Sequence, residues 1–342
     1  MGLTIDLSAI AANWQALAAK AGPGTRTGAV VKADAYGLGA ARAVPALQAA
    51  GAQDFFVYGA HEGQAIRPVL GTGARIFVLE GHVPGAPMEG LIPCLASPEQ
   101  FFRDRSTRPS GQFAVQIDTG MNRVGFAPAA WADLRAEVLA AGPVLLMSHL
   151  YSADVPEDPT NARQLALFRE LTDGTGVPRS LAATGGVLLG HEYHFDLTRP
   201  GVGLFGGLPF ADAMPVVTLD LPVIQTRWIE PGETVGYGGA WTAARRTRIA
   251  TVSGGYADGI PRAAAGRGLK LWAGETAVPV VGRISMDTIT CDVTDLADVP
   301  AELSLIGPAE PIDAYAAVFG SIGYEALTAL GRRYARRYVD NA

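Results

Sequence analysis

Along the first part of the chain, short runs of apolar and often β-branched residues alternate with longer stretches whose apolar positions recur at helical spacing. Thr4-Ile5-Asp6-Leu7 alternates as a strand does, and Ser8 is positioned to cap a helix carrying Ile10, Trp14 and Leu17 on one face. The pattern then predicts strands over 28–31, 54–58, 75–79, 91–95, 113–117, 144–149, 180–183 and 195–198. Between them it predicts helices over 40–50, 63–69, from Pro98 onward, 128–141 and 161–173. About eight strand-then-helix units over roughly 210 residues suit an α/β fold, a (β/α)8 TIM-type barrel. A doubly wound sheet would carry a glycine fingerprint at its first turn, and Gly37-Leu38-Gly39 alone is not one.

Near Met214 the period changes. Strand candidates follow at 216–221, 223–229, 248–252, 268–272, 278–281 and 289–293, joined by glycine-rich turns, with little helix before Ile312. The expected organisation is therefore a barrel over 1–213 and a mainly β domain over 214–342, with the first strand a candidate to pack with the β domain.

Composition narrows the class. The 342 residues are 49% hydrophobic and 18% charged, which favours a large core over disorder. The net charge is −6, and the one basic block, Arg332-Arg333-Tyr334-Ala335-Arg336-Arg337, reads as the solvated face of a C-terminal helix, so no nucleic-acid partner is expected. Cys94 and Cys291 lie far apart and in no ligand-like spacing, so neither a disulfide framework nor a metal site is expected. No run of about eighteen apolar residues occurs. Asp6 and Asn13 interrupt any leader-like N-terminus, so the expectation is a cytoplasmic protein with no membrane partner.

The chemistry turns on a scarcity. The chain has three lysines, Lys20, Lys32 and Lys270, against twenty-four arginines. An amine used as a nucleophile must shed its proton, which lysine can do and arginine cannot. Lys20 reads as a helix-terminal cation and Lys270 as the solvent face of a strand, leaving Lys32, at a strand end in Val31-Lys32-Ala33-Asp34. In such barrels functional groups sit at the C-terminal ends of strands. Arg123, His149 and Arg199 share that placement, and Thr184-Gly185-Gly186 and Gly201-Val202-Gly203 are glycine-rich turns suited to an anion. A lysine across a barrel mouth from an anion nest suits pyridoxal phosphate, and equally a phosphosugar aldolase.

In order along the chain stand VVKADAYGLG (30–39), IDTGMNRVGF (117–126), MSHLYSAD (147–154), RPGVGLFG (199–206), VGYGGAW (235–241), GYADGIPR (255–262), GRISMD (282–287) and GYE (323–325). The ordered set, spanning nearly the whole chain, resembles the alanine racemase family. That resemblance implies a pyridoxal 5′-phosphate enzyme interconverting L- and D-alanine by two bases, with serine or other small amino acids as an alternative substrate range, and a supply of D-alanine for peptidoglycan precursors. It implies that Lys32 holds the cofactor and acts as base for the D-enantiomer. Tyr256 would be the base for the L-enantiomer, and a homodimer with shared active sites would supply Tyr256 and Met286 to the partner's barrel. It also implies that Tyr36, Thr184, Tyr324 and the backbone at Gly201 and Val202 hold the phosphate. Arg199 would face the ring nitrogen, and Arg123 would contact the cofactor's phenolic oxygen and, with Met286, the substrate carboxylate. His149 would border the ring and link Tyr256 to Arg199. Three positions depart from the family pattern: Gln116 stands where a carboxylated lysine often braces the arginine, Ala183 where an asparagine is usual, and Leu38 where histidine is frequent. A decarboxylase would not need the second base, and a barrel-only cofactor carrier would not need the β domain.

Overall fold

The computed structural model describes residues 1–340, which form two compact units. One comprises Ile10–Leu204 with Pro209–Ala213; the other comprises Met1–Ala9, Phe205–Leu208 and the chain from Met214 on.

The chain opens with strand β1 (Gly2–Asp6), followed by a helix, Leu7–Ala21. The first unit then carries β2 (Arg26–Thr27), β3 (Ala29–Val30), β4 (Asp54–Val57), β5 (Arg75–Val78), β6 (Ile92–Leu95), β7 (Ala114–Gln116), β8 (Leu145–Met147), β9 (Arg179–Ser180) and β10 (Leu197–Thr198). Strands β3 to β9 form one parallel sheet in sequence order. Strand β10 pairs in parallel with β2. On its other side, Arg199 N–H donates to the Ala182 carbonyl at 2.8 Å, and a parallel bridge joins Ala183 to Arg199. The ring of eight strand positions is thereby closed, as expected for a (β/α)8 barrel. Every residue of β4 and β6 is buried, which is why these strands read as apolar runs rather than alternating, apart from Asp54 at the start of β4, which is ion-paired with Arg26 and Arg75. Helices follow the strands at Ala40–Ala50, Ala60–Leu70, Pro98–Thr107, Pro128–Ala140, Pro159–Thr172 and Thr184–Leu189.

The second unit holds β11 (Val217–Ile229), β12 (Thr234–Val235), β13 (Trp241–Thr242), β14 (Thr247–Ser253), β15 (Lys270–Ala273), β16 (Thr276–Pro279), β17 (Thr288–Asp292), β18 (Glu302–Ile306) and β19 (Ala335–Val339). Its main sheet runs β16-β15-β18-β11-β1-β19, with β14 added on β11 and β17 on β14. Strand β1 lies between β11, antiparallel, and β19, parallel.

Three sequence expectations change, and one local feature stands outside them. The two strands expected at 216–221 and 223–229 are one, β11, which changes partner along its length. Up to Pro222 it pairs with β18, and from Val223 it pairs with β14. Pro222 has no N–H to give the ladder, so a proline that reads as a strand break instead marks the exchange of neighbours. The basic block is not a helix face. Residues from Ala335 form β19, and Arg333 is ion-paired to Asp258 and Asp287. Ser8 does not cap the first helix but lies within its first turn, where the Asp6 carboxylate accepts the Ala9 N–H at 2.9 Å. Finally, residues 33–36 form a left-handed helical turn that no periodicity signals: Ala33, Asp34, Ala35 and Tyr36 all have φ between 52° and 56°.

Candidate active site

A cavity of about 420 Å³ opens at the C-terminal ends of the barrel strands. Lys32, Tyr36, Arg123, His149, Arg199 and Gly201 all line it, the first two following β3, the last two following β10, and Arg123 and His149 following β7 and β8. Tyr58, Leu79, Gln116 and Met147 complete much of the wall.

Lys32 leaves β3 and enters the left-handed turn. Non-glycine residues in that conformation cost about 1–2 kcal/mol each, and several bonds hold them there. The Glu62 carboxylate accepts Ala33 N–H at 2.8 Å and Tyr58 N–H at 2.7 Å. Asp34 Oδ1 accepts Ala40 N–H at 2.7 Å. The turn closes at Gly37, whose φ of 83° suits glycine. Burial, then the Arg123 charge, lower the Lys32 pKa, and Glu62 partly opposes them. The amine is therefore pushed toward the neutral form a nucleophile needs.

Arg199 is buried, and among the described residues no carboxylate pairs with it. Its guanidinium donates to the Ser148 carbonyl at 2.6 Å, the Leu181 carbonyl at 3.4 Å and the Ser180 hydroxyl. Burial lowers its pKa to about 10, so it stays charged at neutral pH. His149 is pushed down to about 3, by burial first and then by Arg199, Arg123 and Lys32, and is a neutral imidazole at pH 7. Arg123 is exposed, on a loop closed at its base by Phe126 N–H to the Gln116 carbonyl (2.8 Å) and Asp118 N–H to the Phe126 carbonyl (2.9 Å). Gln116, the departure from the family pattern, donates its amide to the Val124 carbonyl at 3.1 Å. It braces the backbone next to Arg123 with no charge of its own.

The two glycine-rich turns meet. Thr184 Oγ accepts Gly201 N–H at 3.0 Å and Gly203 N–H at 3.3 Å, which leaves the hydroxyl proton free to donate elsewhere. A Cβ on Gly201 would come within 2.4 Å of the Tyr36 hydroxyl. Glycine is needed there for a close approach, not for its torsions. Val202 is buried beside them, and Leu38 is buried in the core of the unit.

The remaining expected site residues belong to the second unit. Tyr256 and Met286 sit on neighbouring loops: Tyr256 N–H donates to the Ser285 carbonyl at 3.0 Å and Ala257 N–H to the Met286 carbonyl at 3.0 Å. Both side chains are exposed, as is Tyr324 on the helix Gly323–Ala329. Sequence reasoning passed over Tyr58, Glu62, Ser148 and Ser180. Tyr58 and Ser148 obey the strand-end rule and could have been found by it. Glu62 and Ser180 act through backbone or guanidinium contacts that only the folded chain defines.

A strand-end lysine of lowered pKa, facing a cavity lined by two guanidiniums at a barrel mouth, defines an amine-dependent barrel enzyme that handles an anionic ligand. Comparison with known proteins gives the family. Residues 5–209 match the family model "Alanine racemase, N-terminal domain" and residues 216–338 the model "Alanine racemase, C-terminal domain". Alanine racemases of Cereibacter sphaeroides and of a Ruegeria species are 53% and 52% identical, covering 98% of this chain and 97% and 98% of their own lengths. The crystal structure of alanine racemase from Bartonella henselae with covalently bound pyridoxal phosphate superposes with a TM-score of 0.94 at 34% identity, covering 99% of each chain. That of the biosynthetic alanine racemase of Pseudomonas aeruginosa does so at 0.89 and 35%, again over 99% of each chain. The chain belongs to the alanine racemase family.

Proposed function

We propose that this chain interconverts L-alanine and D-alanine, with pyridoxal 5′-phosphate bound covalently through Lys32. The observation that carries the reading is Lys32 itself, a lowered-pKa amine on the wall of a cavity whose other walls supply cations and hydroxyls. The residues present fit the cofactor. Lys32 can bond its aldehyde carbon, and the Tyr36 hydroxyl beside the side-chain-free Gly201 gives a cradle that a Cβ would fill. Thr184, with its donor proton to spare, adds a second hydroxyl. The cavity falls in the range of small-ligand sites, about 300–1,000 Å³. The relatives reported above are named for alanine, and none of them for serine.

When bound, the cofactor supplies an electron sink that acidifies the Cα–H of an amino acid joined to it. The chain's own groups do the rest. Lys32 takes or returns the Cα proton on one face, and Tyr256 does so on the other. Arg199 would face the ring nitrogen, and because a guanidinium only donates, it would leave that nitrogen without a proton of its own. Tyr36, Thr184, Tyr324 and the main chain at Gly201 and Val202 would hold the phosphate. Arg123 would hold the phenolic oxygen and the substrate carboxylate, and neutral His149 would border the ring without adding charge. Tyr256 and Met286 come from the partner subunit of a two-fold homodimer, so each site is composite. The protein works in the cytoplasm. Among the described residues no helix is long and apolar enough to cross a membrane, and no cluster of ligating side chains could hold a metal ion.

Purified protein given pyridoxal 5′-phosphate and either alanine enantiomer should yield a near-equal mixture by chiral chromatography, and Lys32→Ala should carry no cofactor mass after borohydride reduction. Absence of inversion by the wild type would remove the reading. Cofactor retained on the Lys32→Ala chain would move the attachment to another amine.

A further inference from the structure

Three segments of the second unit converge on one buried carboxylate. Asp258 is fully buried, although Tyr256, two residues before it, leaves 43% of its surface exposed. The loop that carries both residues is bound along its length to the loop that carries Met286: Gly254 N–H donates to the Asp287 carbonyl at 2.8 Å, in addition to the Tyr256 and Ala257 bonds given above. The third segment is the chain from 329 to 333. Gly331 N–H donates to the Asp258 carbonyl at 3.0 Å. Gly259, at φ 89°, packs so closely on this segment that a Cβ would lie 1.9 Å from the Ala329 carbonyl oxygen.

Arg333 joins all three. Its Nε and Nη2 donate to the two oxygens of Asp258, each at 2.7 Å, and its Nη1 donates to Asp287 at 2.7 Å. Asp258 Oδ2 also accepts Gly255 N–H at 3.0 Å. A planar guanidinium can make this fork to one carboxylate and still reach a second; an ammonium cannot. The basic block thus has a member whose three donor nitrogens are committed to the two loops that bear Tyr256 and Met286.

We propose that Arg333 is a positioning residue for Tyr256 and Met286, acting through Asp258 and Asp287. It fixes the base of the tyrosine's loop, so the exposed tyrosine is presented in one place. The proposal rests on the reading of Tyr256 as the second base. It adds that the tyrosine's placement is set from the C-terminal segment of the chain.

The test uses the cofactor-loaded protein as wild type, Arg333→Lys, Asp287→Asn and Tyr256→Phe. Asp287→Asn leaves the pair with buried Asp258 in place and weakens only the exposed arm, whose acceptor loses its charge. Two measurements are made on each protein. One is the ratio of the isotope effect with α-deuterated L-alanine to that with α-deuterated D-alanine. The other is hydrogen exchange at the amides of residues 254–257. In Arg333→Lys, inversion should fall by about ten- to a hundredfold, the scale of a catalytic group misplaced by about 1 Å. The isotope-effect ratio should rise as removal of the L-face proton becomes more limiting, and the loop amides should exchange faster. Asp287→Asn should move both readouts in the same direction and less far. A purely structural role would reduce both directions of inversion with the folded fraction and leave the ratio at its wild-type value. That result in Arg333→Lys, with the ratio shifted in Tyr256→Phe, would overturn the clamp alone. An unshifted ratio in Tyr256→Phe would overturn the assignment of the second base, and the proposal with it.

Discussion

At the scale of single residues, the site is built on opposed influences over one amine. Burial and the Arg123 guanidinium lower the pKa of Lys32, and Glu62 pulls the other way while accepting two backbone N–H groups. Capture of the cofactor aldehyde needs the neutral amine, so its rate in cofactor-free protein should rise with pH through the Lys32 pKa. Arg123→Gln removes a cation that disfavours the protonated amine, so the rising limb should move to higher pH. Glu62→Gln removes an anion that favours it, so the limb should move to lower pH, with one acceptor oxygen still available to the backbone. Stopped-flow absorbance across a pH series reads both, and limbs moving in the same direction would contradict this balance. Arg199 follows the opposite strategy from Arg333. It is buried on carbonyls and hydroxyls, and among the described residues no carboxylate pairs with it, which leaves its positive charge uncancelled toward the cavity.

At the scale of elements, the barrel was legible because its helices and strands obey local rules. The helix Ala40–Ala50 begins and ends where alanine richness and flanking glycines place it. The strands β4 to β8 fall within the apolar runs that predict them. The candidate lysine was legible by elimination, since only three amines compete. What escaped was whatever depends on distant partners. Pro222 reads as a strand end until β18 and β14 are seen to share one strand, and Arg333 reads as solvated until Asp258 is found beneath it. The left-handed turn escaped for a different reason. Alanine, aspartate and tyrosine do not favour positive φ, and the turn exists because bonds from Glu62 and within the segment impose it. Ala33 is exposed, so a glycine there would lose no packing. Relief of a φ of 52° should outweigh the added chain entropy, and Ala33→Gly should stabilise the protein by about 0.5–1 kcal/mol, read from the denaturation midpoint. A lower midpoint would mean that the alanine methyl contributes to the turn.

At the scale of the whole molecule, composite sites make a quantitative demand. Lys32→Ala and Tyr256→Phe chains each keep only a small residual activity in the two-fold arrangement proposed above. Randomly exchanged in equal amounts, half of the dimers would be mixed and each would hold one intact site, so about a quarter of wild-type activity should return. No recovery after exchange is verified by mass would argue for sites contained within one chain. The connectivity of the second unit carries a further consequence. Strand β1 is the first segment of the chain, yet its sheet neighbours are β11, more than two hundred residues later, and β19, near the end of the described chain. During synthesis at ~5–20 residues per second, β1 waits roughly 10–40 s before β11 has even been made. For that interval a five-residue ladder of backbone donors and acceptors stands open, on a segment whose apolar Leu3 and Ile5 are destined for full burial. The nascent chain must carry an unpaired strand past the folding barrel, and residues 2–6 are among the last to find their place.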